Sequence, residues 1–142
     1  MEQKIEFLTN NKFVVNFPSE FAEFNITPWS VMSVENVDKN MLQINIKIIT
    51  ADSDFKQIPN QKDICALEMS LLKQKFDEIE ISILNNKGDK ILLETYHYVQ
   101  LVEVKRSSIL NYDNDKPITF GLKFVYESVD YDSTINNNII CE

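Results

Sequence analysis

The chain has 142 residues, 44% of them hydrophobic, and a formal net charge of −8. That length suits one domain able to bury about two thirds of its unfolded surface, and that hydrophobic share excludes a disordered chain. No apolar run approaches the roughly 20 residues that span a bilayer, and the acid excess, with Lys105-Arg106 as the only adjacent basic pair, argues against a nucleic-acid binder, which would show a basic stripe.

Met1 to Glu6 lacks the basic start and apolar core of a signal peptide, so the expectation is a protein of the cytoplasm or of something assembled there. Phe13 to Phe17 reads as a first short strand, ended by Pro18-Ser19. Phe21, Phe24 and Ile26 follow in a polar setting and lead to Pro28. Alternation predicts a second strand over Trp29 to Val34 and a polar loop over Glu35 to Asn40. Leu42, Ile44, Ile46 and Ile48 alternate with Gln43, Asn45 and Lys47, the cleanest strand of the N-terminal half. Ala51 to Gln61 reads as a loop.

One helix is predicted, over Asp63 to Phe76. Ile64, Leu67, Leu71, Leu72 and Phe76 form one apolar stripe, Asn60 or Asp63 is placed to cap it, and Lys73 and Lys75 suit its C-terminal end. A two-residue period then returns. Ile79, Ile81 and Ile83 are expected to face a core, with Glu80 and Ser82 facing out. The segment 85–89, Asn-Asn-Lys-Gly-Asp, makes a turn, and Ile91, Leu93 and Thr95 restart the pattern. Gln100 to Val104 reads as a further strand and Lys105 to Lys116 as a polar loop. Ile118, Phe120, Leu122, Phe124 and Tyr126 form the last strand, and residues 132–142 a tail with little core potential. These elements predict a mainly β protein, an antiparallel barrel or sandwich with one flanking α-helix, folded as one domain over residues 1–131.

The sequence holds no catalytic device. His97 is the only histidine, between Tyr96 and Tyr98, and no serine or cysteine sits in a nucleophile context. Zinc would need more His or Cys than the chain has. Cys65 in the helix and Cys141 in the tail form no disulfide framework. Asp113, Asn114 and Asp115 lack the further carboxylates and the glycine of a calcium loop. Gly88 and Gly121 are the only glycines, which excludes a glycine-rich nucleotide loop. No residue is therefore assigned a catalytic, cofactor-binding or metal-binding role, and the expectation is a protein that is not an enzyme.

The element order resembles that of the tail-tube proteins of contractile phage tails and related injection machines. Residues 11–17 look like the opening strand of that family, and residues 29–35 like a second strand leading into a ring-contacting loop. Leu67 to Phe76 looks like its helix, and residues 80–89 like the strand and glycine turn after it. Residues 108–113 followed by 118–126 look like its final loop and strand. The likeness implies a homo-oligomer of hexameric rings stacked into a tube, one continuous inner barrel built from six sheets, and tail sheath and baseplate proteins as partners. It implies a lumen through which DNA passes without specific binding, favoured by acidic walls. It also implies a place in the virion tail, with assembly in the host cytoplasm. Another reading is a small-molecule-binding β-barrel, which would need a large apolar cavity and regular meander strands.

Overall fold

The computed structural model describes residues 12–50, 57–113 and 115–133. Seven strands form one antiparallel sheet: β1 (Phe13–Asn16), β2 (Val31–Asp38), β3 (Met41–Lys47), β4 (Lys75–Leu84), β5 (Lys90–Arg106), β6 (Thr119–Val125) and β7 (Ser128–Ser133). The spatial order is β1-β4-β5-β6-β3-β2, with β7 also paired to β5. Strand alternation, predicted from period two, sets which side chains enter the core. Leu42, Ile44 and Ile46 of β3, Ile79 and Ile81 of β4, and Leu122 and Phe124 of β6 are buried on one face. Among the described residues β1 and β2 do not pair with each other, so the sheet is open and they remain its two ends.

The single helix, α1 (Gln61–Leu71), lies on the core side and buries Ile64, Leu67 and Leu71. Both expected caps act together. The Asn60 side chain accepts from the Asp63 N–H at 3.0 Å, and the Asp63 carboxylate accepts from the Asn60 N–H at 3.0 Å. A 3-10 helix over Ser19–Phe24 completes the core by inserting Phe21, which is fully buried. Its ring lies 5.1 Å from that of Phe76, 5.5 Å from Phe17 and 5.9 Å from Phe124.

Four expectations are corrected. The helix stops at Leu71, not Phe76, because Leu72 is extended and Lys73 takes a left-handed conformation at φ 67. The Lys73 N–H then donates to the Leu101 carbonyl, and Phe76 enters β4. The second strand begins at Val31, because Pro28–Ser30 forms a 3-10 turn, and it runs on to Asp38 through the expected loop. The hairpin closes at Asn40, whose φ of 58 supplies the tight turn. Gln100 to Val104 is not a separate strand but the second half of β5, which is 17 residues long. Ser82 faces away from Ile81 yet is 0% exposed, set between Val14 of β1 and Leu93 of β5.

The turn at residues 85–89 forms as read. The Asn85 side chain accepts from the N–H groups of Lys87 and Asp89, and Gly88 adopts φ 88. Of the expected loop 51–61, residues 51–56 lie outside the described residues, as do Asn114, Cys141 and the tail beyond Ser133.

Candidate assembly surfaces

The side chains considered for chemistry do not converge. His97 lies on β5 with Nε2 2.7 Å from Asp130 of β7 and Nδ1 4.0 Å from Glu78 of β4. This is a cross-strand clasp of an imidazole and two carboxylates, with no nucleophile beside it. Cys65 is exposed on α1. Asp113 and Asp115 are exposed, and the Asn111 side chain accepts from the Asp113 N–H, which makes this segment a turn. Among the described residues no three His, Cys, Asp or Glu side chains are grouped to hold a metal.

What the fold does build is surface. The face of β2, β3, β6 and the end of β5 opposite the core is polar. Gln43 donates to Asn45 at 2.7 Å, Asn45 donates to Ser33 at 2.9 Å, and Lys123 pairs with Glu103 at 3.3 Å. Gly121 lies under this layer. A Cβ there would stand 2.8 Å from the Gln43 amide nitrogen, closer than such atoms approach, and 3.1 Å from the Asn45 amide oxygen, a tight contact. Lys47, Lys105 and Lys123 balance Glu35, Asp38 and Glu103 on this face, so it is close to neutral although the chain is strongly acidic.

Several strand edges are open. Among the described residues, β1 pairs only with β4, β2 only with β3, and β7 only with β5. Register explains β7. Its pairing continues the line of β6 along the same edge of β5, from Gln100↔Val125 to Leu92↔Ser133, so β7 extends past the β2–β3 hairpin. On the other edge of β5, β4 reaches only Gln100. An exposed apolar tip, Ile109, Leu110 and Tyr112, tops the β5–β6 loop, and Trp29 stands 69% exposed.

Where β5 meets β7, Tyr96 is buried and its hydroxyl donates to Glu94 at 2.9 Å. Burial, reinforced by the negative charge of Glu94, pushes its ionisation well above the ordinary tyrosine range. Tyr126, packed edge-on to Tyr96 at 4.8 Å, is raised for the same first reason, with Tyr131 and Glu94 contributing.

No protein-family model and no curated protein sequence matches the chain. Solved structures do. The tube-terminating cap of the anti-feeding prophage aligns at a TM-score of 0.64, covering 94% of this chain and 97% of the cap chain, at 7% identity. This chain has the fold of the tube-like proteins of contractile injection systems. A chain of the anti-feeding prophage baseplate aligns at 0.51, covering 92% of this chain and 97% of that one, at 12% identity. Hcp1 from Salmonella typhimurium aligns at 0.50, covering 74% and 71%, also at 12% identity. The tube-like fold agrees with the resemblance read from element order. Among the described residues no helix is long and apolar enough to cross a membrane.

Proposed function

We propose that this chain is a structural, non-enzymatic subunit of the inner tube of a contractile phage tail or related injection machine, or of the piece that caps such a tube. Copies join into hexameric rings, the rings stack, and sheath and baseplate proteins surround them. The particle is a virion tail or a tail-like relative, assembled in the host cytoplasm. The observation that carries this reading is the near end-to-end fold match to a tube-terminating cap, reached by a chain whose strand edges are open. Open edges leave backbone N–H and C=O groups that a neighbouring copy satisfies.

The polar face of β2, β3 and β6 is the candidate lumen wall. Its charges are nearly balanced, and Lys123 is held by Glu103. Its amides bond one another, so few donors are left for a passing phosphate backbone. DNA therefore slides along a neutral wall rather than the acidic one expected from the net charge. The small-molecule barrel is not favoured, because Phe21, Phe76 and Phe124 fill the space between sheet and helix.

Negative-stain microscopy tests the reading, on the purified chain at high concentration and again with the cognate baseplate. Rings or tubes are expected. A chain that stays monomeric in both conditions overturns it.

A further inference from the structure

Five described residues adopt a left-handed backbone: Asn25, Asn40, Lys73, Gly88 and Tyr98. Asparagine and glycine enter this region easily, whereas a bulky aromatic residue meets a steric penalty there. Tyr98 carries that penalty inside a strand, at φ 54, and burial does not offset it, because the side chain is 63% exposed. An asparagine would form the same bulge with less strain. The fold therefore accounts for the bulge but not for the ring.

Tyr98 lines an open cleft of about 400 Å³. The pairs Phe76↔Val99 and Glu78↔His97 set Asp77 of β4 opposite Tyr98 on one side. On the other side of β5, the Glu127 N–H donates to the His97 carbonyl, which brings Glu127 next to Tyr98. The exposed ring thus sits between two exposed carboxylates, and all three line the cleft. Gln100, also in the lining, spends its amide N–H on the Lys73 carbonyl at 2.9 Å and keeps its oxygen as an acceptor. Lys75 is the one cation among the lining residues, and no ion pair ties it to Asp77 or Glu127 among the described residues. The neighbouring imidazole of His97 is met by its own carboxylates, Asp130 and Glu78.

We infer that this cleft is a socket for a cationic side chain, the arginine of a basic segment presented by a partner protein. An aromatic face attracts a cation set over it. Carboxylates on both sides of the ring suit a planar guanidinium, which stacks on the ring and carries donors at both ends. An ammonium group has its donors at one point, and a quaternary ammonium has none, so either would leave a carboxylate without a hydrogen bond. The cleft is open to solvent, so a side chain can enter while its backbone stays outside, and the net charge of −8 draws basic partners towards the chain. The socket belongs to a single chain and does not depend on copies joining.

Ligand-observed saturation-transfer NMR on the full chain tests the socket, since it reads binding whether the chain is single or assembled. The probes are acetyl-Gly-Arg-Gly-amide, the same peptide with citrulline, which keeps the shape of arginine without its charge, and tetramethylammonium, the cation of a choline headgroup. The arginine peptide should bind about tenfold more tightly than either of the others. Tyr98→Asn should weaken its binding about fivefold while thermal stability holds or rises, because asparagine suits φ 54. Asp77→Asn and Glu127→Gln alter exposed side chains and should each weaken it about threefold with the circular dichroism unchanged. No saturable binding of the arginine peptide, equal binding of citrulline or tetramethylammonium, or binding that survives Tyr98→Asn would overturn the socket. So would a Tyr98→Asn chain that melts well below the original, since the ring would then serve the fold. None of these results touches the tube reading, which stands or falls on rings in the microscope.

Discussion

Replacing Phe21 with alanine tests the fold at its least obvious point. Phe21 comes from a six-residue 3-10 helix, yet it is 0% exposed and meets rings from β4, β6 and the segment after β1. Truncating a buried phenylalanine costs about 3–5 kcal/mol. The upper half of that range is expected, because the walls of the hole sit on separate strands whose ladders prevent collapse, and three ring contacts are lost as well. For 142 residues the unfolding entropy near the midpoint is about 0.3 kcal/mol per kelvin. A loss of about 4 kcal/mol therefore lowers the melting temperature by roughly 13 °C. Trp29→Ala is the control. It removes a larger but mostly exposed ring and should move stability by no more than about 0.5 kcal/mol. Thermal unfolding followed by circular dichroism reads both. If Phe21→Ala melts within two or three degrees of the unchanged chain, or Trp29→Ala costs as much, the 3-10 helix does not plug the core as described.

Ile81→Asp sets a carboxylate beside Val15 and Ile79 and should cost several kcal/mol, visible as loss of soluble protein; wild-type yield of folded variant would contradict the burial. Leu71→Ala should destabilise by about 2–5 kcal/mol in urea titration, and an unchanged midpoint would mean that α1 does not pack there. Tyr96 and Tyr126 give an alkaline signature. Their ionisation is raised in the folded state, so the unfolded chain releases these protons first, near pH 10. The stability they contribute is complete below that pH and is lost as pH rises above it. Tyr96→Phe should flatten this decline, and a decline of unchanged steepness would rule out Tyr96 as its source. In a binding titration at moderate salt the chain should hold double-stranded DNA no better than an acidic control protein. Sub-micromolar binding that weakens steeply with salt would reverse the reading of the wall as non-adhesive.

Where a strand has one buried face, its sequence declared it. β3, the Ile79 to Ile83 stretch of β4, and β6 all alternate, and Leu42, Ile44, Ile46, Ile79, Ile81, Leu122 and Phe124 from their apolar rows lie in the core, while Ile83, also expected there, is only half-buried. The helix was legible from its stripe and cap, but its end was not. Leu72 and Phe76 continue a helical spacing, so nothing in the apolar pattern announced that Lys73 would turn left-handed. The sequence of β5 suggests two strands because its alternation is broken. Tyr96 is buried, and Val99 and Leu101 are buried three and five residues later. Tyr98, at φ 54, shifts the phase between them. The extension of β2 and the whole of β7 escaped for a different reason. They run along sheet edges with little core beneath them, and their Glu, Asn, Asp and Ser residues look like loop. These two edge strands are thus stretches that periodicity cannot see.

The polar face follows a logic that the core does not. A core selects for volume, and here phenylalanine, leucine and isoleucine supply it. The opposite face of the same strands keeps its volume low and its polar groups occupied. Gly121 adds no side chain, which leaves Gln43 room to lie across the sheet and donate to Asn45, which donates in turn to Ser33. A larger residue at 121 would displace that amide row and free its donors, converting an even, self-satisfied surface into one with hydrogen bonds to offer. Because β3 and β6 alternate strictly, the two demands fall on adjacent residues of one chain. Leu122 serves the core while Gly121 and Lys123 serve the polar face. In the proposed ring, such strands would give each subunit an inner layer and present to anything passing through a surface with little to bind.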